Sequence, residues 1–246
     1  MDLSKISTLP PAGATKKKIK AKTDELVRAI AEKQHLLYAE GKKAVLIVFQ
    51  GMDASGKDGA TRKVFKYCSP SGVNAYPFKK PTDKEFAHDF LWRVHKLAPA
   101  KGQINIFNRS HYEDVLIQRV HGWIDEDTVT MRMNAINHWE ELLMKDNETT
   151  IIKFYMHISP ERQKEKLQER IDDPSKNWKH NDGDWEERKL WSKYRRCYED
   201  VIERCNLAPW TVAPVDKRWY RDYFIATHVL EVLNSLDIEL PILSKK

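Results

Sequence analysis

The sequence predicts an α/β fold, a central parallel sheet sandwiched between layers of helix, and two observations carry that prediction. Ala44-Val-Leu-Ile-Val-Phe49 is apolar at every position, as expected of a strand buried on both faces in a parallel sheet. Strand-like and helix-like segments then alternate over most of the chain, the rhythm of βα units.

Taken in order, residues 1–14 carry Ser, Pro and Gly without periodicity and are expected to be a flexible N-terminal arm. One domain is expected over 15–246. Lys16–Glu40 reads as a helix, with Leu26, Ile30, Leu36 and Leu37 toward one side and Gly41 as its stop. The strand 44–49 follows, and a helix is expected from Lys57 to Tyr67. Further strands are predicted at Val73–Phe78, Gln103–Phe107, Thr150–His157 and Trp210–Val215. The intervening helices are predicted at Asp83–Leu97, Tyr112–Val120, Asp127–Lys145, Pro160–Ile171 and Trp185–Cys205, with a last one at Arg218–Leu236. The polar stretch Asp172–Asp184, with Pro174 and Gly183 between two charged helices, breaks the rhythm and has the composition of a mobile lid, here placed at about 170–190.

Composition narrows the class. The 246-residue chain is long enough for one domain with a substantial core, and its 41% hydrophobic and 32% charged residues suit a water-soluble protein. No apolar run reaches the length of a membrane span and no apolar segment follows the N-terminal basic cluster, so a cytoplasmic protein is expected. Cys68, Cys197 and Cys205 form no C-x-x-C pair, which argues for free thiols over a zinc site or disulfide framework. A net charge of +6 favours a polyanionic partner: nucleic acid, anionic lipid or a phosphate polymer.

The chemistry is signalled by Gly51-Met52-Asp53-Ala54-Ser55-Gly56-Lys57. A strand precedes it and a helix follows, the setting in which a G-x-x-x-x-G-K loop cradles phosphate with backbone N–H groups, a helix N-terminus and a lysine ammonium. Two acids depart from the usual pattern. Asp58 stands where a Ser or Thr normally binds magnesium, and Asp53 lies inside the loop. A carboxylate beside phosphate calls for a divalent cation between them, so Asp53 is expected to ligate Mg²⁺. Asp58 either shares that role or is a first-turn helix acid.

A second constellation, Ile106-Phe-Asn-Arg-Ser-His-Tyr-Glu-Asp114, begins at the end of a predicted strand, where parallel sheets open their ligand crevice. Arg109 is placed to clamp a transferring phosphoryl group. Glu113 and Asp114 are either water and metal holders, Asp114 being taken as the second metal residue, or plain first-turn acids; His111 reads as a packing residue. Lys79 and Lys80 follow the second strand, and Lys176 and Lys179 lie in the lid beside Trp178, the one tryptophan read as functional. Arg162, Lys164 and Lys166 read as solvated helix surface, whereas Arg170, at the lid boundary, is expected to act on phosphate. Trp92, Trp139, Trp185, Trp191 and Trp219 read as core or interface residues.

Together these motifs resemble polyphosphate kinase family 2. The resemblance rests on Gly-Met-Asp-Ala-Ser-Gly-Lys-Asp-Gly59, Phe-Asn-Arg-Ser-His-Tyr-Glu-Asp114, Arg-Ile-Asp-Asp-Pro-Ser-Lys-Asn-Trp-Lys179 and Ala-Pro-Trp-Thr-Val-Ala-Pro-Val-Asp-Lys-Arg-Trp-Tyr-Arg221, in that order over about residues 20–237. It implies a three-layer α/β/α fold similar to thymidylate kinase with a helical lid. It also implies Mg²⁺-dependent, reversible phosphoryl transfer between inorganic polyphosphate and AMP, ADP or ATP, with guanine nucleotides as further candidates. The family's functional loop, second-motif and lid residues match Asp53, Lys57, Arg109 and Arg170. Asn108 stands where many members have Asp, and the run through Glu113 resembles the branch that accepts both AMP and ADP, so Glu113 is expected to influence acceptor choice. Family members are often dimers or tetramers, which makes a homo-oligomer the expectation. The alternatives are an ATP-dependent nucleotide kinase on the same fold and a basic nucleic-acid-binding protein, for which no recognition motif is present.

Overall fold

A computed structural model describes residues 1–241. Five strands, β1 (Ala44–Gln50), β2 (Val73–Pro77), β3 (Ile104–Asn108), β4 (Thr149–His157) and β5 (Trp210–Pro214), form one sheet in the order β2-β3-β1-β4-β5. Every pairing is parallel. β1 lies centrally, with Ile47 in register between Ile106 and Ile152, and all its residues are buried. The uniformly apolar run from Ala44 to Phe49 is the consequence of helices covering both faces.

The helices are α1 (Lys16–Glu40), α2 (Lys57–Val64), α3 (Asp83–Phe86), α4 (Trp92–His95), α5 (Glu113–Val120), α6 (Glu126–Asp146), α7 (Pro160–Asp172), α8 (Gly183–Lys189), α9 (Trp191–Arg204) and α10 (Arg218–Asn234). α1, α2 and α10 pack together as one layer; α5 packs on α6 and α9, with α6 against β4, as the other. The chain runs from β1 past β3 to β2, then from β3 back past β1 to β4, and this reversal of direction opens a crevice at the carboxyl ends of β1 and β3.

Gly41 ends α1 in a left-handed conformation at φ 65° and returns its N–H to Leu37 O. The single helix expected over 83–97 is two short ones. Asp89 causes the break: its carboxylate accepts the Leu91 N–H at 3.0 Å, offering the backbone an alternative to the helix. The helix expected over 185–205 likewise divides at Leu190.

The N-terminal segment is docked rather than loose, at least over its first eight residues. Leu3 is fully buried, its N–H donates to Glu199 Oε1 at 2.9 Å, and Thr8 Oγ1 donates to Asp216 Oδ2 at 2.8 Å. Three apolar residues, Leu3, Ile6 and Leu9, spread among Ser, Lys, Thr and Pro make too short a pattern to announce a docked segment, which is why the sequence reading misses this anchor. At the other end, residues 242–246 of the expected domain lie outside the described residues. Cys197 and Cys205 are buried, Cys68 is half-buried, and all three are free. Among the described residues no helix is long and apolar enough to cross a membrane.

Candidate active site

The loop after β1 is built on backbone conformations that side chains resist. Gly51 has φ 150°, and a Cβ there would lie 2.8 Å from Met156 O on the neighbouring strand. Gly56, at φ 92°, is pressed against the Arg221 guanidinium. The loop consequently curls tightly at the carboxyl edge of the sheet and feeds α2.

Lys57, the first residue of α2, turns its ammonium back into the loop. It donates to Gly51 O at 2.7 Å and Met52 O at 3.2 Å, and lies 3.4 Å from Ser55 Oγ. Burial, with the Arg109 charge nearby, pushes its pKa down to about 8. Met52 and Ser55 are buried beneath the loop and Ala54 takes a left-handed φ of 62°.

Arg109 also adopts a left-handed φ, 59°, and its N–H donates to Phe49 O at 3.0 Å, fastening the end of β3 to β1. That backbone turn brings its guanidinium onto the Asp53 carboxylate. Burial pushes the Asp53 carboxyl upward, but Arg109 and Lys57 outweigh it and hold the group below the ordinary carboxylate range. Asp53 in turn raises the pKa of Arg109.

The two adjacent acids of α5 separate. Glu113 feels Arg109, Lys57 and Asp53, and burial raises its pKa. The Gln50 side-chain amide bridges 3.0 Å to Glu113 Oε1 and 3.0 Å to Ser110 Oγ. Asp114, expected as the second metal residue, points elsewhere. Its carboxylate accepts from Gln118 Nε2 at 2.7 Å and pairs with Arg93 at 3.4 Å, so it does not join Asp53. Successive helical residues point about 100° apart, and only one of the pair can face the loop.

Asn108 is buried and accepts from Thr61 Oγ1 at 2.9 Å, tying β3 to α2. Asp58 is an exposed first-turn acid of α2, and Gly59 sits under Arg221. Lys79 is exposed, with only its carbonyl engaged, by Arg93 Nη1 at 2.9 Å. Lys176 pairs with Asp173 at 2.7 Å on the lid and is not brought to the loop. Arg170 is: it pairs with Asp184 across the lid, and its charge reaches Asp53. Of the helical tryptophans Trp139 is buried, whereas Trp92, Trp185, Trp191 and Trp219 are half-buried; Trp178 is 78% exposed.

Two cations that the sequence reading leaves without a role join the loop. Lys166 on α7, read as solvated surface, is buried, donates to Ala54 O at 3.1 Å, and is pushed to about 7 by burial and by Arg221, Arg218 and Arg162. Arg221 on α10 is buried and donates to Gly56 O at 3.1 Å. Gln163, one turn before Lys166, donates to Asp53 O at 3.1 Å. Positions 163, 166 and 170 lie i, i+3, i+7 on one helix face, and that spacing is the signal that points Lys166 inward with Arg170. Tyr198 on α9 is a further neighbour, its hydroxyl pKa raised by burial and by Glu113.

Among the described residues no cluster of three or more His, Cys, Asp or Glu is placed to hold a metal ion. A cation such as Mg²⁺ needs no such cage: one or two carboxylates and the substrate's phosphates suffice. Asp53, with Glu113 behind it, fits that donor set.

A family profile described as polyphosphate kinase 2 (PPK2) matches residues 13–241. An AMP/ADP-polyphosphate phosphotransferase from Meiothermus ruber is 46% identical over 218 residues, covering 88% of this chain and 81% of that protein. An ADP-polyphosphate phosphotransferase from Rhodopseudomonas palustris is 37% identical over 229 residues, covering 87% and 79%. The crystal structure of polyphosphate kinase 2 from Arthrobacter aurescens TC1 superimposes with a TM-score of 0.96 at 38% identity, over 100% of this chain and 89% of that one. Phosphate loop, second motif and lid thus share one crevice in a fold matched over its whole length, and the chain belongs to the polyphosphate kinase 2 family.

Proposed function

We propose that this chain transfers a phosphoryl group reversibly between inorganic polyphosphate and AMP or ADP, with Mg²⁺ as cofactor. The observation that carries the reading is the cation arrangement at one loop. Lys57, Arg109 and Arg170 approach from the crevice, while Lys166 and Arg221 close on Ala54 and Gly56 from the α7 and α10 side. Such a surplus of positive charge suits two polyanions held end to end. The Meiothermus and Rhodopseudomonas relatives, named for transfer involving polyphosphate and AMP or ADP, support the same reading.

An acceptor phosphate oxygen is already ionised at neutral pH, so transfer requires alignment and charge neutralisation more than a strong base. Lys57 and Arg109 would stabilise charge on the transferring group, and Arg170 would close over it from the lid. Asp53 would hold Mg²⁺, which when bound neutralises phosphate charge between donor and acceptor. Glu113, beside Arg109, is the residue we assign to acceptor choice. Cytoplasmic location and a dimeric or tetrameric assembly belong to the same proposal.

The test is donor choice. Purified protein given ADP, polyphosphate and Mg²⁺ should form ATP, read by luciferase, and form none when polyphosphate is omitted. Absence of ATP there, with AMP phosphorylated when ATP is the donor, would replace this reading by an ATP-dependent nucleotide kinase.

A further inference from the structure

The backbone that carries Arg109 and Glu113 is held from beneath by groups with no part in the chemistry above. His111, Tyr112, Glu140 on α6 and Lys153 on β4 are all fully buried. Tyr112 OH donates to Glu140 Oε1 at 2.7 Å, and Lys153 Nζ donates to Glu140 Oε2 at 2.6 Å. The same ammonium lies 2.9 Å from the Tyr112 oxygen and 2.9 Å from Cys205 O, so its three protons all have partners. Cys205 O also accepts the Trp210 indole N–H at 2.9 Å. His111 packs at 4.9 Å against the Trp139 ring, with Nε2 3.7 Å from Glu140.

Stability alone is a poor reason for this cluster. Replacing a buried ion pair with well-packed hydrocarbon is often neutral or stabilising. Tyr112, Glu140 and Lys153 satisfy one another, although neither ring nitrogen of the adjoining His111 finds a partner. What such a mutually paired trio supplies is a single arrangement, because sliding the Tyr112 ring would strand a buried charge or hydroxyl. Arg109 stands at φ 59°, which a non-glycine residue holds only when its surroundings over-determine it. On one side its own N–H is fixed to Phe49 O. On the other, Tyr112 N–H donates to Ser110 Oγ at 3.2 Å and the Tyr112 hydroxyl is locked into the buried pair.

We propose that Tyr112, Glu140 and Lys153 are positioning residues whose buried network sets where Arg109 and Glu113 stand relative to the 51–57 loop. The inference rests on the functional reading above for its kinetic consequence, but not for its structural one.

Tyr112→Phe leaves the ion pair and the core volume in place. It should fold, lose roughly tenfold in kcat, and change KM for ADP and polyphosphate by less than about twofold, as displacement of an aligning group does. Lys153→Met and Glu140→Leu should each lower Tm singly, while the pair together should recover part of that loss but not kcat, the Tyr112 hydroxyl being left without its buried partners. A paired variant with wild-type kcat, or Tyr112→Phe with wild-type kcat, overturns the proposal. If the paired variant does not fold, Tyr112→Phe decides alone. A readout free of turnover is amide hydrogen exchange: residues 109–113 should exchange faster in Tyr112→Phe, with β1 unchanged. Should the wild-type protein show no polyphosphate-dependent transfer, the functional reading fails. The exchange experiment still tests the positioning, and unchanged exchange at 109–113 refutes it.

Discussion

Arg109 and Asp53, from loops at the ends of neighbouring strands, form an ion pair across the mouth of the phosphate loop. The pairing keeps Asp53 ionised, the form that the proposed Mg²⁺ would need as a ligand. Asp53→Asn should therefore raise the Mg²⁺ concentration needed for half-maximal rate by about tenfold or more and lower kcat ~10²-fold. A Mg²⁺ titration of the rate checks both, and an unchanged titration would remove Asp53 from metal binding.

Lys57 separates catalytic value from stability. Lys57→Met should lower kcat by ~10²–10³-fold, the usual consequence of removing a donor aimed at transition-state charge. Its folded-state pKa, about 8, lies below the ordinary 10.5, so below pH 8 the charged lysine disfavours the fold. Between about pH 8 and 10.5 the unfolded chain holds a proton that the folded chain lacks, and this group's contribution to stability rises with pH. Melting of Lys57→Met at pH 7 should accordingly match or exceed that of wild type.

A second pH effect belongs to Lys166, pushed to about 7 by burial and by Arg221, Arg218 and Arg162, with Glu169 opposing. A phosphate chain beside it favours the protonated form, so binding takes up a proton and weakens as pH rises from 7 toward 9. Calorimetry with tripolyphosphate in buffers of different ionisation enthalpy should detect that uptake, and Lys166→Met should diminish it and flatten the pH dependence.

Gly51→Ala tests the loop's geometry. The added methyl would sit 2.8 Å from Met156 O, a backbone atom of the central sheet that has no room to yield. A loss of about 1–3 kcal/mol is expected by chemical denaturation, from the strained φ of 150° and the contact together.

Much of the framework is legible in the sequence because it follows from periodicity and punctuation. The β1 run, the Gly41 stop and the strand-loop-helix setting of Gly51–Lys57 each have a local physical cause. The parts that are not legible depend on direction or on long-range contact. Glu113 and Asp114 are adjacent acids, and which of them meets Lys57 is decided by how α5 is rolled against α6 and α9. Arg221 reaches Gly56 from 165 residues away, and no local pattern announces it. The break at Asp89 turns on one side chain competing for a backbone N–H, which composition does not distinguish from a helix surface.

Product analysis with each acceptor alone tests the central claim most directly. AMP or ADP is incubated with the purified protein, polyphosphate and Mg²⁺, and nucleotides are resolved by chromatography. AMP should yield ADP and then ATP, ADP should yield ATP, and EDTA or omission of polyphosphate should abolish both. Nucleotide that stays unphosphorylated with polyphosphate present, under conditions in which ATP serves as donor, would contradict the account.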